Sequence, residues 1–129
     1  MLRSCCIHLQ EVFHNDIRGR FNRGETEVVD AMRYWADLTE RVKEAILKKE
    51  GHEVIGPLLD ANFDKRRQLY KISKGNLEMV EAARSVGASA KFCGSGGAIV
   101  GTYKDEAMYA KLENENTAVR WGNGGSAQG

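Results

Sequence analysis

From about Gly24 onward, apolar residues recur at helical spacing. Val28, Met32, Trp35, Val42 and Ile46 stand three, four or seven positions apart, which predicts one face of a long amphipathic helix. Lys48 and Lys49 fall in its expected last turn, where cations suit the helix dipole, and Gly51 is its expected stop. A second helix is predicted from about His52 to Lys71, with Pro57 near its start, where a missing N–H matters least. Ile55, Leu58, Leu59, Phe63, Leu69 and Tyr70 form its apolar face. Asn76 is the expected N-cap of a third helix running through Val86, with Leu77, Met79, Val80 and Ala83 inward and Gly87 as the stop. The pattern then turns to strand. Ser89 to Cys93 and Ala98 to Tyr103 are short apolar runs on either side of a glycine cluster. Asp105 is placed to cap a helix through Glu115 carrying Met108 and Leu112, and Thr117 to Trp121 reads as a last strand. Ahead of Gly24 the pattern is poor: Glu11 to Phe21 has no clean period, and Cys5 to Leu9 is at best a further short strand.

Helices followed by a few strands imply an α+β fold, a small antiparallel sheet covered by helices. The simplest form is a ferredoxin-like two-layer sandwich with extra N-terminal helices. Residues 1–11 match no recognisable element, residues 12–121 read as one domain, and residues 122–129, GNGGSAQG, have nothing to bury and read as a disordered tail.

Composition narrows the function classes. Nineteen basic residues against 18 acidic give a formal net charge of +1 over 129 residues, which is no footprint for nucleic acid or an anionic membrane. No apolar run approaches the roughly 20 residues that cross a bilayer. Three cysteines, Cys5, Cys6 and Cys93, contain no Cys-x-x-Cys pair, and His8, His14 and His52 are too few for a metal cluster, so no metal site is expected. Free thiols fit a reducing, cytoplasmic setting.

The candidate chemistry lies in Lys91 to Gly101, KFCGSGGAIVG. Glycines this dense permit backbone angles closed to other residues, and successive bared N–H groups make a concave anion site. A glycine-rich hairpin turn with no ligand is the plain alternative. Sharper motifs fail: Gly96 and Gly97 are followed by Ala98 and Ile99, which excludes a Walker loop. The residues after the glycines read as strand and not helix, which excludes a dinucleotide fingerprint and a nucleophile elbow at Ser95. In the second helix, Asn62 and Arg66 continue the step of four from Leu58 to Tyr70. They are either a helix edge with polar ends in water or a ligand-facing pair.

Asn62-Phe63-Asp64-Lys65-Arg66-Arg67, then Gly87-Ala88, then Lys91-Phe92-Cys93-Gly94-Ser95-Gly96-Gly97-Ala98 together resemble the C-terminal domain of the GHMP small-molecule kinases, most of all the plant-type glucuronokinases. The resemblance covers roughly residues 12 to 121. It implies an ATP-dependent phosphotransferase acting on a sugar hydroxyl, with ATP and Mg as the cofactors of the full-length enzyme. Gly94, Ser95, Gly96 and Gly97 become a nucleotide-side loop, and Asn62, Arg66 and Arg67 the acceptor side for a sugar acid. The family's main phosphate loop, Pro-x-x-x-Gly-Leu-x-Ser-Ser-Ala, is missing, since the sole proline, Pro57, is followed by Leu58, Leu59 and Asp60. No catalytic residue is therefore assigned. These 129 residues alone are expected to be inactive, to bind no cofactor tightly, to need an N-terminal kinase domain as partner, and to self-associate through the face left bare. The rival reading is a standalone ferredoxin-like module that holds a small anion or regulates without catalysis. An RNA-recognition sheet is disfavoured by neutral charge and missing strand aromatics.

Overall fold

The structure, a computed structural model, describes residues 16–122, with side chains through residue 115. The expected strand at Cys5 to Leu9, the unplaced segment 1–11 and the tail from residue 123 lie outside the described residues. The chain divides into two units, residues 1–40 and 41–129, with the boundary inside a helix.

In the first unit a helix over residues 16–22 (α1) occupies a stretch that shows no period in the sequence. A turn through Gly24, at φ 73°, leads into α2, Thr26–Leu47. Arg20 donates to Glu25 and Glu27 across that turn, at 3.3 and 3.0 Å. The face of α2 differs from expectation. Val28, Ala31, Leu38 and Ala45 are buried with Trp35 and Val42 half-buried, a regular alternation of three and four, while Ile46 is 60% exposed. The alanines carry the stripe because a helix face is set by phase, whatever the size of the residue.

The end of α2 also corrects the sequence reading. Lys48 and Lys49 lie beyond the helix, and the left-handed position is Lys49, at φ 57°, not Gly51. Glu50 N–H bonds the Ala45 carbonyl at 2.9 Å and Lys49 N–H that of Ile46 at 3.0 Å, the paired bonds of a Schellman cap. A side chain in this conformation costs about 1–2 kcal/mol, partly offset by the entropy that glycine would lose on folding. Lys49→Gly should therefore raise stability by roughly 0.5 kcal/mol. A urea midpoint that moves down would show that the lysine side chain contributes something the cap geometry does not.

The second unit carries α3 (His52–Leu69), α4 (Lys74–Ser85), β1 (Lys91–Phe92), β2 (Ile99–Val100) and α5 (Glu106–Gly122). Gly51 is the N-cap of α3, which starts at His52 as expected. Pro57, near its start, is its sixth residue and so lies just past the first turn, where N–H groups lack helical partners. Ser73, not Asn76, caps α4: its hydroxyl accepts Asn76 N–H at 3.4 Å. The Asn76 side chain is thereby left for other work. Asp105 caps α5 as predicted, accepting Met108 N–H at 2.8 Å. The helix then runs to Gly122, so the expected strand at Thr117 to Trp121 is helical. β-branched and aromatic residues favour strand only where a ladder partner exists, whereas an established helix gains a bond with each residue added.

β1 and β2 pair antiparallel, Lys91 with Val100 and Phe92 with Ile99, and form a two-stranded sheet among the described residues. Two bonds continue the same register outward, Ser89 N–H to Thr102 O at 2.9 Å and Cys93 N–H to Ala98 O at 3.0 Å. The fold is α+β with a small antiparallel sheet, and the described residues do not build a four-stranded ferredoxin-like layer. α3 packs on β1 and α4 on α5. Phe63, Val80, Ala83, Ala90 and Phe92 form the core between them, with Phe63 and Phe92 edge to face at 5.0 Å. This core fixes the two helices that reach the glycine loop.

Candidate functional site

The hairpin loop from Cys93 to Ala98 takes its shape from three glycines with positive φ: Gly94 at 68°, Gly96 at 132° and Gly97 at 79°. Two helices hold it. From α3, Arg66 Nη1 donates to the Gly94 carbonyl at 2.7 Å and Nη2 to the Ser95 carbonyl at 3.3 Å. From α4, Asn76 Oδ1 accepts Gly97 N–H at 3.1 Å. At Gly96 the φ of 132° already favours glycine, and a β-carbon would in addition come within 2.9 Å of Nδ2 of Asn76, the asparagine that braces the loop. At Gly94 and Gly97 a β-carbon would meet nothing within 4 Å; there glycine is needed for its dihedral alone.

The guanidinium of Arg66 lies 5.2 Å from the ring centres of both Tyr70 and Phe92. Burial lowers its pKa from the ordinary arginine value, against a smaller opposing pull from Tyr70. An arginine remains charged under such a shift, so the loop carries a fixed cation on one side.

The residues expected on the acceptor side separate. Arg66 joins Gly94 and Ser95. Arg67, the next residue, lies exposed and reaches Glu81 of α4 at 3.9 Å. Asn62 is half-buried, one turn before Arg66 on the same α3. Asp64, in the same motif, has a structural role: it accepts from Arg84 Nη1 at 2.7 Å.

Sequence reasoning passed over three groups. Arg84 on α4 donates to the carbonyls of Asp60 and Ala90, at 3.1 and 3.2 Å, and its Nε lies 3.1 Å from Asp60 Oδ1. That last contact is an ion pair without hydrogen-bond alignment. Asp60 Oδ1 in turn accepts Ala90 N–H at 2.8 Å, tying α3 to the strand entering the loop. Asn76 is the second, and its N-cap propensity hid its use as a brace. The third is a polar knot where the hairpin begins. His52 Nδ1 lies 2.8 Å from Thr102 Oγ1, which lies 2.9 Å from the buried Ser89 hydroxyl, and Thr102 N–H donates to Ser89 Oγ at 2.8 Å. A pocket of about 120 Å³ beside this knot, lined by Ala83, Ala88, Ile99 and Leu112 among others, is too small for a nucleotide or a sugar.

Among the described residues no group of three or more His, Cys, Asp or Glu is placed to hold a metal ion, and no helix is long and apolar enough to cross a membrane. Cys93, at the mouth of the loop, is exposed and unbridged.

No protein-family model matches the chain. Among curated proteins, it is 40% identical over 90 residues to probable glucuronokinase 2 of Arabidopsis thaliana, covering 67% of this chain and 24% of that protein. Glucuronokinase 1 of the same plant is 39% identical over 90 residues, covering 67% and 25%. The chain is similar to GHMP-type kinases of the glucuronokinase kind. Among solved structures, the L. major mevalonate kinase in complex with R-mevalonate superposes with a TM-score of 0.73 over 84% of this chain and 34% of that one. At 20% identity that likeness shows the shared fold alone. The glucuronokinase-like chain spans about a quarter of the length of the curated relatives it matches.

Proposed function

We propose that this chain is the C-terminal portion of an ATP-dependent sugar kinase that phosphorylates a hydroxyl of a sugar acid. The observation that carries the reading is a glycine loop braced from two helices, in a chain 40% identical over 90 residues to a probable glucuronokinase. Phosphoryl transfer depends mainly on positioning and on stabilising charge, and a preorganised backbone loop supplies both. Gly94 to Gly97 would lie on the nucleotide side. ATP supplies the phosphoryl group when bound. Among the described residues no group of three or more His, Cys, Asp or Glu is placed to hold a metal ion, and no residue of this chain is assigned to magnesium. The remaining kinase machinery, including the main phosphate loop, would come from an N-terminal domain.

On the acceptor side the proposal rests on Asn62 and Arg67, since the fork of Arg66 is occupied by loop carbonyls. The ion pair of Arg67 with Glu81 is long and exposed and contributes little to stability. Its guanidinium could therefore move to a uronate carboxylate, whose two oxygens match its planar donors.

In the whole protein, coupled ADP release should depend on glucuronic acid. Arg67→Lys should raise the KM for the sugar acid about tenfold while changing the KM for ATP less than twofold, corresponding to about 1.4 kcal/mol of lost carboxylate binding. Equal sugar kinetics in the variant would remove Arg67 from the acceptor side, and no sugar-dependent turnover in the whole protein would sink the kinase reading. The standalone anion-binding module remains the second reading, favoured only by the loop itself.

A further inference from the structure

Arg66 holds two consecutive carbonyls, those of Gly94 and Ser95, from one side of the loop. None of the described peptide bonds is cis, and in a trans peptide the N–H points opposite to the carbonyl. Fixing these two carbonyls therefore turns the N–H groups of Ser95 and Gly96 to the far side. Ser95 N–H meets no protein acceptor among the described residues. The neighbouring donors are already occupied, Cys93 N–H by the Ala98 carbonyl and Gly97 N–H by Asn76 Oδ1. The loop is thus sorted into two faces, with carbonyls toward a guanidinium and amides away from it.

From this we infer that Arg66 is a positioning residue for phosphate: it stands behind the loop, does not touch the ligand, and aims the Ser95 and Gly96 amides at an anion on the opposite face. The inference rests on the nucleotide-side reading of the loop and revises the role that the family resemblance implies for this arginine. Without the cation, adjacent carbonyls on one face would repel each other and the peptide planes would be free to turn. The amides would then be scattered, and their combined pull on an anion would be lost. A lysine could not replace the arginine, because a single ammonium has no planar fork to grip both carbonyls at once.

The test is an amide-resolved NMR titration of the isotopically labelled 129-residue chain with pyrophosphate. In the native chain the Ser95 and Gly96 amide signals should shift downfield on titration. In Arg66→Met both signals should move before any ligand is added, and the apparent Kd for pyrophosphate should rise at least fivefold. Arg66→Lys, which keeps the charge, should show the same rise. If Arg66→Met does not fold, the lysine variant carries the test by itself. Recovery of native affinity by lysine would show that charge alone matters and overturn the inference. So would unmoved loop amides in the variants, or a native chain whose Ser95 and Gly96 amides ignore pyrophosphate. These outcomes are independent of sugar turnover, so failure here and failure of the kinase reading are separately visible.

Discussion

Gly101→Ala should destabilise the chain by about 3 kcal/mol, enough to lower the Tm by about 10 °C or more. Gly101 lies next to Thr102, where β2 runs on past its last assigned residue opposite Ser89 and Ala90. A β-carbon there would overlap the Ser89 carbonyl oxygen and come within 2.7 Å of its carbon and 3.3 Å of the Ala90 Cα. All three obstacles are backbone, so no rotamer change relieves them. The strands would have to separate at the Ser89–Thr102 pair, exposing the Ser89 hydroxyl and loosening Thr102 from His52. Gly51→Ser is the control. Gly51 caps α3 in an extended conformation, and a β-carbon there meets only Glu53 Oε2 at an ordinary 3.6 Å. Serine caps a helix at least as well as glycine, so this variant should match or slightly exceed the native melting point. Thermal melts followed by circular dichroism compare the two. A Gly101→Ala protein melting within 2 °C of native would mean that the strands part at little cost, contrary to the close contact.

The sequence carried the helices and the hairpin well because their signals are local. Phase errors arose where small residues did the packing. Ala31 and Ala45 lie on the buried stripe of α2, but a search for large apolar residues lands on Met32 and Ile46, one step off. Capping was ambiguous for a related reason. Ser73 and Asn76 are both residue types that favour an N-cap, three residues apart; Ser73 takes the cap, and the Asn76 side chain accepts Gly97 N–H. Thr117 to Trp121 shows the opposite failure, a local preference for strand overridden by a helix already running.

Of the site, the glycine loop was legible because dense glycine is rare and physically costly unless required. Arg66 was legible by its step of four toward Tyr70, and its guanidinium does lie over that ring. Its partners were not legible, since Gly94 is 28 residues away and carbonyl acceptors leave no mark in a sequence. Arg84 left no trace for the same reason. On a helix of mixed polarity it looks like any solvated arginine.

Arg84→Met should cost about 2–3 kcal/mol, the second large effect expected in this chain. The arginine joins three elements: Asp60 and Asp64 on α3, its own α4, and the Ala90 carbonyl at the entry to β1. It also lies 5.2 Å from the ring centre of Phe63, the most deeply buried aromatic of the core. Methionine preserves most of the stem and the contact with the ring, so the loss measures the polar contacts. Asp60 is the sensitive partner. Its carboxylate still accepts Ala90 N–H, but it would face the core without a cation, and partial burial of the pair makes that worse than at an open surface. Solvent reaches both side chains, 27% and 31% exposed, which keeps the cost below that of a fully buried pair. Arg84→Lys should recover less than half of the loss, because one ammonium cannot serve two carboxylates and two carbonyls in different directions. Asp64→Asn, at an exposed end of the network, should cost under about 1 kcal/mol. Urea unfolding of the four proteins orders them native, Asp64→Asn, Arg84→Lys, Arg84→Met. If Arg84→Met unfolds at the native midpoint, the network does not hold α3, α4 and the loop strand together. The bracing of the glycine loop would then have to come from Arg66 and Asn76 alone.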